Sequence, residues 1–429
     1  MSSHTTIDWT GVPFPRKRNL CALWRKWLSD PKHPQLDRWI AAEMKAHREF
    51  GKADRRFYSD MLFAAARYAL PAAASIRSGK PAADPQWLAD AELLSSPAVL
   101  VRECAALDAD AFFAALCPLL VPSPADGLPL RGELALHGIF TGYESDILRR
   151  AELSGWSEAD ILSFIRAHRT RPPLWIRPNR EGAAGEIADE CSRRGFSCEA
   201  VGPALRIEGD TAVYEFESKK KGLFEIQDYA SAMIGEACDV HPGMIVWDAC
   251  AGGGGKTMQI ASRLSGRGCV YASDLRQYKL DETKLRARAA GFPNVRTLAW
   301  NGETLPAFPK EVTAKKGFHR VLVDAPCSSS GTWRRNPDAK MRLDREALEE
   351  LSRLQLSILT AASRMVRRDG LLIYATCSFL PSEDEDVVAA FLSAHPAFSL
   401  VSSSVHGSPA VDADTTFTAV MRSGTDAAL

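Results

Sequence analysis

The stretch Met244-Ile-Val-Trp-Asp-Ala-Cys-Ala-Gly-Gly-Gly-Gly-Lys-Thr257 decides how this chain is read. The run 244–247 is apolar, short and followed by an acid, which predicts a buried strand. The glycines after it let backbone approach a ligand closely, and a helix over 257–264 takes up the chain. The alternation then continues: strand 269–272, helix 276–290, strand 295–298, strand 320–323. A long helix over 344–367 follows, with Leu351, Leu354, Ile358, Ala362 and Met365 on one face. Gly370 stops it before a strand at 371–374. Strand–helix alternation predicts an α/β fold with a doubly wound parallel sheet. Such sheets bind ligands beyond the carboxyl ends of their strands.

Upstream the pattern changes. Residues 1–165 read as an all-α domain. Leu36, Trp39, Ile40, Met44 and Phe50 form one helical stripe closed by Gly51. Tyr58, Met61, Leu62, Ala65 and Ala69 form another, and further helices are expected at 84–107, with a break at Pro97, and at 108–120 and 157–168. Arg171-Pro-Pro173 marks the transition to a small α+β module over 166–238. There a helix at 183–194 and β-like runs at 199–207 and 212–216 precede a linking helix at 230–238. Residues 239–429 form the α/β domain.

Composition bounds the function. Of 429 residues, 46% are hydrophobic and 25% charged, which excludes wholesale disorder. The longest apolar run, 111–121, is too short to span a bilayer and contains Pro118. The first residues carry no apolar leader segment, so a cytoplasmic protein is expected. With 53 basic and 53 acidic residues, bulk charge does not hold the chain on nucleic acid, although local basic surfaces can. The ten cysteines include no Cys-x-x-Cys and no zinc-type spacing, so free thiols and no metal are expected.

The glycine loop fits neither familiar phosphate pattern. A P-loop requires glycine where Cys250 stands, and a dinucleotide loop requires it at Thr257 or Met258. Asp274, at the end of the second strand, lies where an acid commonly accepts hydrogen bonds from ribose hydroxyls. Loop and acid together point to a nucleoside ligand, and Asn301, after the third strand, is positioned to meet its base. Two further blocks end neighbouring strands: Asp324-Ala-Pro-Cys-Ser-Ser-Ser-Gly331 and Tyr374-Ala-Thr-Cys-Ser378. Two cysteines in polar surroundings beside a nucleoside site point to thiolate chemistry.

At these residues the chain resembles the RsmB/Sun family of S-adenosylmethionine-dependent RNA 5-methylcytosine methyltransferases. The resemblance covers roughly 170–425 and extends to Gln227-Asp-Tyr-Ala-Ser231 and Glu383-Asp-Glu385. Ala53-Asp-Arg-Arg-Phe57 is similar to the NusB-like domain of one branch. The resemblance implies a Rossmann-like methyltransferase domain with Cys377 as attacking thiolate, Cys327 assisting release and Asp324 holding the cytosine edge or the cofactor. It also implies S-adenosylmethionine on Cys250, Ala251, Gly252, Gly253, Gly254, Gly255, Lys256, Asp274, Asn301 and Asp324. Two departures stand out: Gly252-Gly253 replaces the family's Ala-Pro, and Asp414-Thr-Thr-Phe417 replaces Asp-Gly-Phe-Phe.

The expected partner is structured RNA, ribosomal before transfer RNA, acted on by a monomer away from membranes. Two basic stretches are candidates for phosphate contact: Arg16, Lys17, Arg18, Arg25 and Lys26 around Trp24 and Trp27, and Arg166, Arg169, Arg171, Arg177 and Arg180 around Trp175. Competing readings are a transfer-RNA enzyme, a DNA cytosine methyltransferase, against which Thr376-Cys377 argues, and a non-catalytic RNA-binding assembly factor.

Overall fold

The computed structural model describes residues 7–30, 34–81, 87–121, 128–208 and 212–424. Contacts divide the chain into two units, one of residues up to 171 together with 332–347, the other of 172–331 and 348–429.

The first unit is helical. Its local signals are explicit: Ser96 caps a helix whose first residue is Pro97, and Ser157 and Asp160 form a reciprocal capping box. The long helix Lys52–Ser78 ends on Gly79 in the left-handed region. Its core stacks Trp24 on Trp27 and Phe112 at ring separations of 5.4 and 5.3 Å. Residues 332–347, remote in sequence, complete it. Asp338 Oδ2 accepts from the Leu36 amide at 3.1 Å, and Arg67 donates to the Arg334 carbonyl at 2.8 Å. Lys340 Nζ donates to the Arg67 carbonyl at 2.8 Å, and Trp333 meets Tyr143 edge-on at 5.2 Å.

The second unit carries two sheets. The smaller comprises β1 (Leu174–Pro178), β2 (Cys198–Val201), β3 (Ala204–Ile207) and β4 (Phe224–Ile226), ordered β2-β3-β1-β4 and antiparallel where registered. The larger comprises β5 (Ile245–Asp248), β6 (Cys269–Asp274), β7 (Val295–Ala299), β8 (Phe318–Asp324), β9 (Val366–Thr376), β10 (Phe398–Gly407) and β11 (Thr415–Ser423). Its order is β10-β11-β9-β8-β5-β6-β7. β5 to β9 are parallel, with β9–β11 and β11–β10 antiparallel at one edge. The order reverses between β5 and β8, which opens a crevice at the carboxyl ends. Trp247, Phe318, Leu359, Tyr374 and Phe417 fill one face of the sheet, and Val246, Ile260, Leu322 and Ile373 the other.

Several sequence expectations change in detail. The run 199–207 splits at Gly202 into the hairpin β2–β3, and residues Val213–Glu215 form a 3-10 turn where a strand was expected. The helix expected over 344–367 spans Arg345–Ser363. Val366 and the residues after it are drawn into β9, because Val366 pairs with Phe318 and sheet pairing outweighs helical periodicity. Gly51 is the N-cap of the following helix, in extended conformation, and does not close the preceding one, which ends at Ala46. The helical stretch expected over 84–107 is broken at Pro97, as expected, into Leu88–Leu93 and Pro97–Ala106; its start at 84–86 lies outside the described residues. β10 has no apolar alternation in sequence, and its exposed serines explain why.

Candidate active site

Three strand ends build the crevice. β5 ends on Asp248, whose buried carboxylate accepts from Thr257 Oγ1 at 2.6 Å; burial pushes its pKa up to about 7. The loop beyond it turns through Gly252 and Gly254, both at positive φ (53° and 83°). A Cβ at Gly254 would collide with Thr283, whereas Gly252 and Gly255 face open space. The Gly252 amide donates to Asp274 Oδ2 at 3.0 Å, and Asp274 Oδ1 accepts from Arg276 N and Nε at 2.8 and 3.0 Å. Burial raises the Asp274 pKa, but the Arg276 bonds outweigh it and the net shift is downward, so the carboxylate stays ionised. Thr283 donates to the Gly252 carbonyl at 3.3 Å, and Arg286 donates to the Gly253 carbonyl while pairing with Glu225 at 2.9 Å. The flexibility introduced by the second glycine is thus countered by two side-chain clamps from one helix.

The ends of β8 and β9 bring the two thiols together. Cys327 Sγ and Cys377 Sγ are 3.2 Å apart, both half-buried. Ser329 Oγ lies 3.6 Å from Cys377 Sγ, and Lys256 Nζ bonds Asp324 Oδ2 at 2.8 Å. The hydrogen bond from Cys327 is the leading cause that lowers the Cys377 pKa; burial opposes it, and Ser329 and Lys256 assist. The same bond raises the Cys327 pKa well above the thiol range. The shared bond therefore favours loss of the proton from Cys377 ahead of Cys327. Burial works against the charge of Lys256, but Asp324 more than restores it. Ser329 sits at φ 58°, a strained setting for a non-glycine residue, within the loop that presents Cys327.

A carboxylate from beyond β9 fixes that loop. Glu383, fully buried, accepts from Ser328 N at 2.8 Å, from Ser328 Oγ at 2.5 Å and from Gln355 Nε2 at 2.9 Å. Gln355 also donates to the Pro326 carbonyl at 3.0 Å. Thr376 Oγ1 donates to Asp384 Oδ1 at 2.5 Å, which anchors the residue preceding Cys377.

The structure thus brings Cys327, Cys377, Asp324 and Lys256 into one cluster, and Gly252 and Asp274 into another at the same ends of the sheet. Cys250 has its thiol pKa pushed well up by burial, so it contributes backbone and not a nucleophile. Asn301 Oδ1 accepts from the Glu303 and Thr304 amides at 3.1 and 3.2 Å, an Asx turn that occupies its carbonyl oxygen. Ser329 and Gln355 were not singled out in the sequence: one is among three consecutive serines, the other a polar residue in a helix. Glu383 was visible only as part of a resembling block.

The basic stretches look different in three dimensions. Trp24, Trp27 and Trp175 are buried and offer no stacking face to a base. Arg16, Arg25 and Lys26 pair with Asp54, Asp108 and Glu43, and Arg166 pairs with Glu133. Arg177 is itself buried. Among the described residues no group of three His, Cys, Asp or Glu side chains could hold a metal ion, and no helix is long and apolar enough to cross a membrane.

Residues 237–425 match the family described as 16S rRNA methyltransferase RsmB/F. The ribosomal RNA small subunit methyltransferase B of Enterobacter sp. (strain 638) is 31% identical over 253 residues, covering 57% of this chain and 56% of that protein. Its counterpart in Klebsiella pneumoniae is 30% identical over 270 residues, covering 61% and 59%. The chain therefore spans little more than half the length of the curated relatives it matches. A methyltransferase homolog protein from Pyrococcus horikoshii shares the fold with a TM-score of 0.56 over 70% of this chain and 100% of its own, at 21% identity.

Proposed function

We propose that the protein, whose residues 237–425 match the RsmB/F family of 16S rRNA methyltransferases, methylates carbon 5 of a cytosine in RNA. The relatives' names favour ribosomal RNA of the small subunit as the substrate, with transfer RNA as the alternative. The observation that carries the reading is the pair of thiols 3.2 Å apart at the ends of neighbouring strands, with Lys256 and Asp324 beside them.

The crevice fits S-adenosylmethionine. Gly252 and Gly255 leave open space above a helix N-terminus, and Asp274 is an ionised acceptor at the ribose position. The loop 250–256 would hold the amino-acid portion, with Asn301 nearer the base. When bound, the cofactor supplies an electrophilic methyl group. The protein's part is to make carbon 5 able to accept it. The Cys377 thiolate adds to carbon 6, forming the S–C6 bond while the C5–C6 π electrons move toward carbon 5. Ser329 and Lys256 support the thiolate before attack. Once carbon 5 is methylated, its proton must leave; the C5–C6 double bond then reforms, the S–C6 bond breaks and the thiolate returns. Cys327, adjacent to that bond, assists this release. The base must be unstacked to reach the thiols, which is least costly in a loop or single strand. All these groups come from one chain, which supports action as a monomer, and we place that action in the cytoplasm.

The test uses RNA from cells lacking the protein and a labelled methyl donor. Cys377→Ala should abolish transfer. Cys327→Ala should accumulate a protein–RNA adduct that survives denaturing electrophoresis. An adduct with Cys377→Ala and none with Cys327→Ala would reverse the roles, and full activity in both variants would remove covalent catalysis altogether.

A further inference from the structure

The helix Gln277–Ala289 grips the loop 250–256, and that grip is itself held from the small antiparallel sheet. Arg286, on this helix, donates through Nη1 to the Gly253 carbonyl and through Nη2 to Glu225 Oε2 at 2.9 Å. Glu225 is the middle residue of β4 and is buried. It stands opposite Arg177 in the β1–β4 register and also accepts from Lys219 Nζ at 3.2 Å. A guanidinium is planar, so anchoring one terminal nitrogen fixes the direction of the other. A carboxylate fixed in a strand therefore governs where the Gly253 carbonyl is held.

The strand that carries Glu225 is closely seated. Gly222, just ahead of β4, lies at φ 67°, and a Cβ there would come within 2.8 Å of the Ala289 carbonyl oxygen. Glycine thus lets the sheet's backbone close on the end of the helix that bears Arg286. Asn179 Nδ2 donates to the Gly222 carbonyl at 2.9 Å, and the Asn179 carbonyl accepts from Ser262 Oγ on the helix Gly255–Arg263. The small sheet therefore meets both helices that flank the loop.

Gly253 is where such a hold matters. It has no side chain to pack, and a glycine has the most backbone freedom to lose. Unlike Gly252 and Gly254 it is not at positive φ, and a Cβ would meet Arg286 Nη1 and the Glu282 carboxylate only at 3.4 Å. Order at this position comes from the Arg286 bond and not from the residue itself.

We propose that Glu225 is a positioning residue for the methyl donor. Through Arg286 it holds the Gly253 carbonyl, and with it the loop 250–256, in the conformation that receives the cofactor. The inference rests on the reading of that crevice as an S-adenosylmethionine site.

The experiment compares wild type with Glu225→Gln, Arg286→Met, their double variant, Ser262→Ala and Glu282→Gln, all in the full chain. Hydrogen exchange of the 250–256 peptide is read first, without ligand. It should quicken about threefold in Glu225→Gln and in Arg286→Met, and match wild type in Ser262→Ala and Glu282→Gln. Calorimetry should show S-adenosylmethionine bound about fivefold more weakly by the first two, less than the full worth of a charge-assisted bond. KM for the methyl donor should rise with kcat at saturation unchanged. The double variant should be no weaker than Arg286→Met alone, because Glu225 acts only through that arginine. Glu225→Asp keeps the charge but shortens its reach, and carries the test if Glu225→Gln does not fold. The proposal is overturned if Glu225→Gln leaves loop exchange unchanged, or if the two losses simply add. It is equally overturned if Ser262→Ala or Glu282→Gln loosens the loop as much. No binding by wild type refutes the cofactor reading and takes the proposal with it. Binding by wild type that Glu225→Gln leaves intact refutes the proposal alone.

Discussion

Replacing Cys327 should change the acidity of a residue fifty positions away. The hydrogen bond from Cys327 is the leading reason that the Cys377 thiol is acidified, across 3.2 Å. Hydrogen bonds to charged groups contribute about 1.5–3 kcal/mol, and a thiol is a weak donor, so the lower figure applies. About 1.5 kcal/mol corresponds to roughly a tenfold change in thiolate population at a pH below the titration. A more basic thiolate is also a better nucleophile, with a Brønsted slope of about 0.4–0.5, which returns roughly a factor of three. Alkylation of Cys377 by iodoacetamide in Cys327→Ala should therefore slow about three- to fourfold at such a pH, and its titration midpoint should move upward. Cys327→Ser retains a donor and should keep most of the wild-type midpoint. Peptide-resolved mass spectrometry separates Cys377 from the other cysteines. An unmoved midpoint in Cys327→Ala, or identical behaviour of the alanine and serine variants, would show that the thiol pair does not share its proton.

Other consequences can be measured. Asp274→Ala should weaken S-adenosylmethionine by about 1.5–3 kcal/mol in calorimetry, through loss of a charged acceptor. Glu383→Gln places an amide N–H against the donors Ser328 and Gln355; it should cost about 2–3 kcal/mol, read as a lower melting temperature and faster hydrogen exchange at 326–331. Asp248 has its folded pKa raised to about 7 from 3.8, so the folded state binds the extra proton; its contribution is full below about 3.8 and is lost as pH rises through about 7. Between those limits wild type should lose on the order of 4 kcal/mol relative to Asp248→Asn, compared by denaturant unfolding.

The parallel sheet was legible because four of its five short runs lead within three residues into an acid or a cysteine, Asp248, Asp274, Asp324 and Cys377, and that local punctuation survives folding. Asp274, Cys327 and Cys377 could be named for the same reason: strand ends are where a doubly wound sheet gathers its chemistry. The network around Glu383 was not legible, since its partners are separated by 28 and 55 residues and nothing local marks Gln355 or Ser328. The ion pairs of the basic stretches were not legible for the converse reason. Charge in sequence carries no record of whether a carboxylate elsewhere, such as Glu133 for Arg166, will meet it.

The return of residues 332–347 to the helical unit has a consequence for biosynthesis. The chain emerges from the ribosome in order, so the first 171 residues wait for the segment that completes them. At roughly 5–20 residues per second that interval is on the order of ten to thirty seconds. Until then the Leu36 amide lacks Asp338, and Arg67 lacks the Arg334 carbonyl. Strands β1 to β8 are made during the wait. The helical unit is therefore the first to be translated but cannot be the first to finish folding. A gene fragment ending at residue 171 encodes an interior with part of its wall missing.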